Sequence, residues 1–195
     1  MKKTTFLSVV MAFLFVSSIN AQSKKNEIDL GVGVWSSNQI IGTMSDIIAS
    51  AFLPDGVGMK NGSSPGAFHV GYKYSLSDRF ALGPVVSYDL NTSEAWANNT
   101  KTGKFTSSYY TFSLEADYKF VNRDKFKLYA LLGAGGSVLN QTYKENAGEK
   151  HSEKLTFFNF QVTPVGVKYG DSFGIFSELG FGYKGILCAG LFCRF

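Results

Sequence analysis

The sequence predicts an all-β protein: an eight-stranded antiparallel up-and-down transmembrane β-barrel with a short helix in its first extracellular loop. Three observations carry this. Apolar and polar residues alternate one by one through run after run of roughly 10 residues, which is the period of a strand with one oily and one polar face and the length a tilted strand needs to cross a bilayer. The connections between runs are alternately long and short, as in barrels with long loops on one side of the membrane and tight turns on the other. The 195 residues include 18 Phe, 10 Tyr and 21 Gly, and past the amino-terminal run no apolar stretch approaches the roughly 20 residues of a spanning helix.

The amino terminus reads as a separate segment. Met1-Lys2-Lys3, an apolar run from Phe6 to Val16, and Ser17-Ser18-Ile19-Asn20-Ala21 predict a secretory signal peptide over 1–21, with the barrel occupying 22–195. Without Lys2 and Lys3 the formal charge of +4 falls to +2, and the remaining basic residues are dispersed along the chain. That dispersal excludes the concentrated basic footprint of a nucleic-acid binder.

Each element then follows in order. Ile28, Leu30, Val32 and Val34 face one way, and Glu27, Asp29, Gly31, Gly33 and Trp35 the other. In a membrane barrel the first set meets lipid and the second the lumen. Ser36 to Ser64 breaks the alternation. Within it Ile40, Ile41, Met44, Ile47, Ile48, Ala51 and Phe52 recur at steps of three and four, after the cap candidates Ser36, Ser37 and Asn38 and before Pro54, which predicts a short amphipathic helix in a long first loop. This helix is either a lid or a docking surface.

Phe68, Val70, Tyr72 and Tyr74 then alternate with His69, Gly71 and Lys73, and a tight turn at Ser77-Asp78-Arg79 leads into Phe80, Leu82, Pro84, Val86 and Tyr88 against Ala81, Gly83, Val85, Ser87 and Asp89. Pro84 has no N–H to give a ladder, so an irregularity is expected there. Asn91 to Thr106 reads as a second long loop. Tyr110, Phe112, Leu114, Ala116, Tyr118 and Phe120 alternate with Thr111, Ser113, Glu115, Asp117 and Lys119, and after a turn Phe126 to Val138 alternate with Lys127, Tyr129, Leu131 and Ser137. Asn140 to Lys154 reads as the third long loop.

Phe158, Phe160 and Val162 share a face, but past Pro164 the apolar phase moves to Val165, Val167 and Tyr169, with Lys168 opposite; a proline at a phase flip predicts a β-bulge. Phe173, Ile175, Leu179, Phe181 and Tyr183 alternate with Phe176, Glu178 and Gly182. Lys184-Gly185 reads as the last turn, and the closing strand ends at Arg194 and Phe195. Tyr72, Tyr74, Phe80, Tyr118, Phe120, Phe126, Tyr169 and Phe173 all fall beside the short turns, where an aromatic girdle is expected.

Taken together, the amino-terminal segment, the aromatic-alternating strands, the Tyr74-Ser75-Leu76-Ser77-Asp78-Arg79-Phe80 hairpin and the terminal Gly190-Leu191-Phe192-Cys193-Arg194-Phe195 resemble the small outer-membrane β-barrel proteins of Gram-negative bacteria, over essentially 22–195. The resemblance implies location in the outer membrane, outer-membrane lipid as surroundings, and insertion by the barrel-assembly machinery. It implies that Gly190 and Phe195 belong to the signal that machinery reads.

An eight-stranded barrel has a lumen that side chains fill. The residues expected inside include the acids Glu27, Asp29, Asp89, Glu115, Asp117 and Glu178 and the bases Lys73, Lys119, Lys127, Lys168 and Arg194, a nearly balanced set that must pair to be tolerated in a narrow interior. Arg194 is expected to meet Glu27 or Asp29. No cofactor, metal or catalytic set is predicted. Neither His69 nor His151 belongs to a nucleophile motif, and Cys188 and Cys193, five apart on one strand, point to opposite faces and cannot bridge. The expected function is a non-enzymatic barrel contributing to envelope structure or to surface interaction with an extracellular ligand or protein at its loops. The alternatives are a narrow channel for small solutes, a lipid-modifying or proteolytic barrel enzyme, and a soluble lipocalin-like binder.

Overall fold

Alternation dictates the architecture, and the computed structural model, which describes residues 24–40, 57–97, 100–145 and 150–195, is built almost wholly of antiparallel strands. They are β1 (Asn26–Val34), β2 (Val57–Ser63), β3 (Ala67–Ser75), β4 (Phe80–Ala97), β5 (Thr100–Asn122), β6 (Phe126–Glu145), β7 (Lys150–Gly170), β8 (Phe173–Gly182) and β9 (Leu187–Arg194). The sheet runs β2-β4-β3-β1-β9-β8-β7-β6-β5, and β4 also pairs with β5, so eight strands close into a ring. The seam is β1 against β9, from Glu27 opposite Arg194 to Val34 opposite Leu187. Closure leaves the ring without an edge, which is what a bilayer requires of a sheet.

The ninth element, β2, is not a ninth stave. It pairs with β4 from Val57 opposite Ala97 to Ser63 opposite Thr92, directly beyond the stretch of β4 that β3 occupies from Ala67 opposite Asp89. β2 therefore prolongs β3 across a break at 64–66, where Gly66 takes φ 109°. It lies in the stretch read from sequence as part of the first long loop.

The molecule is inside-out relative to a soluble barrel. Leu30, Phe68, Val70, Phe112, Leu114, Leu132, Phe158, Ile175 and Leu191 are all exposed on the outer surface, whereas the buried set is dominated by Glu27, Asp29, His69, Lys73, Glu115, Asp117, Gln161, Lys168 and Glu178. An apolar band of this size on a protein surface marks a membrane interface. The eight aromatics expected in the girdle are all exposed and lie beside the short turns.

The structure refines several elements. At Pro164 and Val165 two consecutive residues face outward, and the register shifts on both sides, between Val162 and Val165 against β8 and between Tyr129 and Leu131 against β6: the expected bulge. At Pro84 the β3–β4 pairing lapses between Gly71–Val85 and Tyr74–Leu82 without a register shift, so the proline interrupts the ladder and inserts no residue. Trp35, expected inward, is exposed because its φ of 55° rotates it off the β1 face. Tyr183, expected outward, is buried because Gly182, at φ 143°, turns the chain into the barrel.

The second and third long loops are corrections of a larger kind. Asn91 to Thr106 and Asn140 to Lys154 are strand almost throughout, with β4–β5 pairing continued to Ala97 opposite Thr100 and β6–β7 to Lys144 opposite Lys150. Asn, Thr and Lys are poor strand residues only where one face must bury. In a sheet that stands clear of the apolar band, a regular ladder satisfies the backbone and neither face has to be apolar. Four strands of 18 to 23 residues therefore continue well past the neighbours of 8 to 10.

Candidate functional site: a filled lumen and a projecting sheet

Alternation turns these side chains inward, and across the narrow lumen the charges form one alternating chain that joins non-adjacent staves as well as the β1–β9 seam. Arg194 Nε donates to Glu27 Oε2 at 2.6 Å, and Glu27 also accepts from Lys168. Lys168 Nζ lies 3.5 Å from Asp117 Oδ2, and Asp117 Oδ1 accepts from Lys73 Nζ at 2.7 Å. Lys73 stands 3.2 Å from Glu115, Glu115 is 3.1 Å from Lys184, and Lys184 is 2.7 Å from Glu178. Tyr129 O–H donates to Glu178 at 2.6 Å, and its ring lies 4.6 Å beneath the Lys168 ammonium. Tyr183 O–H donates to Glu115 at 2.7 Å. Every acid in this chain touches at least one base, the condition under which ions tolerate a low-dielectric interior.

Four of the residues expected in that network sit elsewhere. Asp89 meets no base among the described residues: it accepts from Ser36, from Gln39 at 3.2 Å and from Ser64 at 3.2 Å, near the mouth. Lys127 donates to the carbonyls of Arg123 and Asp124 at the short-turn end, and Lys119 makes no ion pair among the described residues. Asp29 stands apart, 3.7 Å from His69 Nε2, with both carboxylate oxygens lacking a hydrogen-bond partner among the described residues.

Lys184 is the participant that sequence reading missed. Its sequence context predicts a turn residue, and it is one, but the turn folds inward. Ile186 N–H donates to Val34 carbonyl, Tyr183 N–H to Phe160 carbonyl and Lys184 N–H to Gln161 Oε1, which tucks 183–186 between β1 and β7. The signal was the pair of glycines around it: Gly182 and Gly185 both take positive φ, at 143° and 110°.

A second polar layer closes the mouth. Ser36 caps the helical turn at 37–40 by accepting from Gln39 N–H at 3.1 Å, while Gln39 Oε1 accepts from Ser36 N–H at 3.3 Å, a capping box. The same turn hydrogen-bonds the walls: Ser37 donates to Asn159 at 3.1 Å, and Asn159 donates to Asn38 and to Ser137, each at 2.9 Å. Ile40 begins the predicted helix; Ile41, Met44, Ile47, Ile48 and Phe52 lie outside the described residues.

His69, Cys188 and Asp29 come together, with Cys188 Sγ 4.0 Å from the imidazole nitrogens. All three are buried in the lumen, with the His69 ring 5.9 Å from that of Phe176. The His151 side chain lies outside the described residues. No group of three potential metal ligands is found among the described residues. At the short-turn end, Lys24 lies 2.6 Å from Asp171 and its hydrogen bond holds that carboxyl below the usual range.

The thiols give a direct check on the faces. Cys188 is buried in the lumen and Cys193 is half-buried on the outer side. In the folded protein in detergent micelles, a small maleimide is expected to modify Cys193 and spare Cys188, with both labelled after unfolding. Labelling of Cys188 first would reverse the inside and outside of β9.

Comparison with known proteins follows this geometry. A family model described as outer membrane protein beta-barrel domain matches residues 6–186. Among solved structures the chain is similar to Ail, the attachment invasion locus protein of Yersinia pestis, in complex with the heparin analogue sucrose octasulfate, at 13% identity over 87% of this chain and 95% of that one, with a TM-score of 0.44. It is also similar to the N-terminal β-barrel domain of Pseudomonas aeruginosa OprF, at 17% identity over 88% and 98%, with a TM-score of 0.41. No curated protein matches the chain.

Proposed function

Because the chain belongs to the outer membrane protein β-barrel domain family, we propose that it is a non-enzymatic outer-membrane barrel with a side-chain-filled lumen, acting in surface interaction and envelope structure through its extracellular hairpins. One observation carries this reading: the barrel is filled along its axis while a sheet continues outward from it. The ion chain from Arg194 to Glu178 occupies the middle, and the 36–40 turn and the 183–186 turn occupy the mouth. The extensions of β4, β5, β6 and β7, with β2, form a sheet with two open edges. β7 pairs with β8 only from Gln161, and beyond the Tyr183 N–H bond to the Phe160 carbonyl the backbone of 150–159 bonds β6 alone, as β2 bonds β4 alone, among the described residues. Open backbone edges bind an extended partner strand by main-chain hydrogen bonds.

The buried His69, Cys188 and Asp29 support a packing role, since a nucleophile must be reachable by substrate. Residues 1–21 act in this reading as a cleaved signal peptide, and Gly190 and Phe195 as part of the assembly signal. The test is a variant in which 92–105 and 142–153 are each replaced by a two-residue turn. It should still fractionate with the outer membrane and shift gel mobility when unheated, while cells expressing it adhere less to protein-coated surfaces than cells with the full chain. Unchanged adhesion on every surface would remove the surface-interaction role, and stepwise conductance of the full chain in planar bilayers would remove the filled lumen.

A further inference from the structure

The outer face of the projecting sheet is ordered in rows. The β5–β6 register is unbroken from Gly103 opposite Glu145 to Lys119 opposite Tyr129, so every second residue of β5 from Phe112 back to Lys104 shares the lipid-facing side. Moving away from the membrane, the rows across β5, β6 and β7 read Phe112, Gly136 and Phe158; then Tyr110, Val138 and Thr156; then Ser108, Asn140 and Lys154; then Thr106, Thr142 and Ser152. The next row sets Lys104 opposite Lys144, and Lys144 opposite position 150, also lysine.

Like charges directly opposite one another destabilise a sheet, since side chains of such a pair stand about 5 Å apart. Here Lys104, Lys144 and Lys154 are exposed and make no ion pair among the described residues. Glu94, opposite Lys104 in register, is bonded to Lys101. It is the one acid on this face of the sheet among the described residues. The face thus carries an uncompensated positive charge whose natural complement is an anion outside the chain.

Position selects that anion. At about 3.3 Å per residue and a tilt near 40°, Lys154 stands roughly 10 Å above Phe158, and Lys104 and Lys144 roughly 20 Å above Phe112 and Gly136. These heights correspond to headgroup depth and the saccharide layer above it, and the face looks sideways into the surrounding leaflet, not along the barrel axis. We propose that Lys104, Lys144 and Lys154 form a lateral binding face for the phosphate groups of the outer-leaflet glycolipid that surrounds the barrel. The hydroxyl row of Thr106, Thr142 and Ser152, between the two lysine levels, supplies hydrogen-bond partners for sugar. This inference rests on the outer-membrane location and not on what the sheet edges recognise.

The test uses the full chain refolded in neutral detergent with diphosphorylated lipid A extended by its phosphorylated inner-core sugars, repurified, and weighed by native mass spectrometry to count retained lipid. Retention should fall about tenfold or more in the combined variant Lys104→Gln, Lys144→Gln and Lys154→Gln, and equally when the headgroup and inner-core phosphates are removed from the lipid. Heat-dependent gel mobility shows that the variant is folded, and Lys24→Gln at the short-turn end controls for loss of any single charge. Equal retention by the variant, or of the dephosphorylated lipid, overturns the proposal. So does capture of a soluble sulfated polysaccharide at these lysines with no lipid retained, which would assign the face to an anion from the medium.

Discussion

Glu115→Ala is expected to destabilise the barrel by about 3 kcal/mol or more, the cost of breaking a buried ion pair from one side. Glu115 is fully buried on β5 and touches Lys73, Lys184 and the Tyr183 hydroxyl. Removing it leaves Lys73 with Asp117 and Lys184 with Glu178, so neither lysine is wholly abandoned, but the core gains one unmatched positive charge. The urea midpoint of the refolded protein in vesicles, read by unheated gel mobility, checks this. Adding Lys184→Met to Glu115→Ala should recover part of the loss, because a pair removed from both sides leaves no orphaned ion. Glu94→Gln, which breaks an exposed pair with Lys101, should move the midpoint by no more than about 1 kcal/mol equivalent. Equal effects of Glu115→Ala and Glu94→Gln would mean that water reaches the lumen freely.

What the chain discloses by itself follows the period-2 rule and stops where that rule stops. Every inward charge on an unbroken strand, from Glu27 and Lys73 to Asp117 and Arg194, is legible because alternation fixes its face, and Lys168 is legible once the phase flip before it is counted. The bulge at Pro164 is legible because the apolar phase itself flips there. Lys184 and Tyr183 are not, since they follow a positive-φ glycine, and a turn that folds inward carries no periodicity. The β4–β5 and β6–β7 extensions are not legible for the opposite reason: with neither face against lipid, nothing requires apolar residues to alternate, so Thr92, Thr106, Thr142 and Ser152 look like loop although they lie in register across four strands. Asp89 shows a third limit, for its face is predictable but its partners come from Ser36 and Gln39, a segment whose path alternation does not fix.

The turn that carries Lys184 into the lumen depends on Gly182, and Gly182→Ala is expected to be as damaging as Glu115→Ala although it alters no charge. At φ 143° an L side chain is strained, and a Cβ there would stand 2.0 Å from the Phe160 carbonyl oxygen and 2.6 Å from Gln161 Cα. Both obstacles are backbone, so relief requires the turn to lift, withdrawing Tyr183 and Lys184 from Glu115 and Glu178. Strain of this kind costs about 1–3 kcal/mol before the lost contacts are counted. Gly62→Ala is the control: a Cβ on Gly62 meets nothing within 4 Å, and the change should be neutral. Coupling separates a dislodged turn from a general loss of packing. If Gly182→Ala acts by removing Lys184 from Glu115, then Glu115→Ala combined with Gly182→Ala should cost clearly less than the two single losses added, because each removes the same contact. Strict additivity would show that the turn and the ion chain are independent, and that Lys184 stays in the lumen however its turn is held.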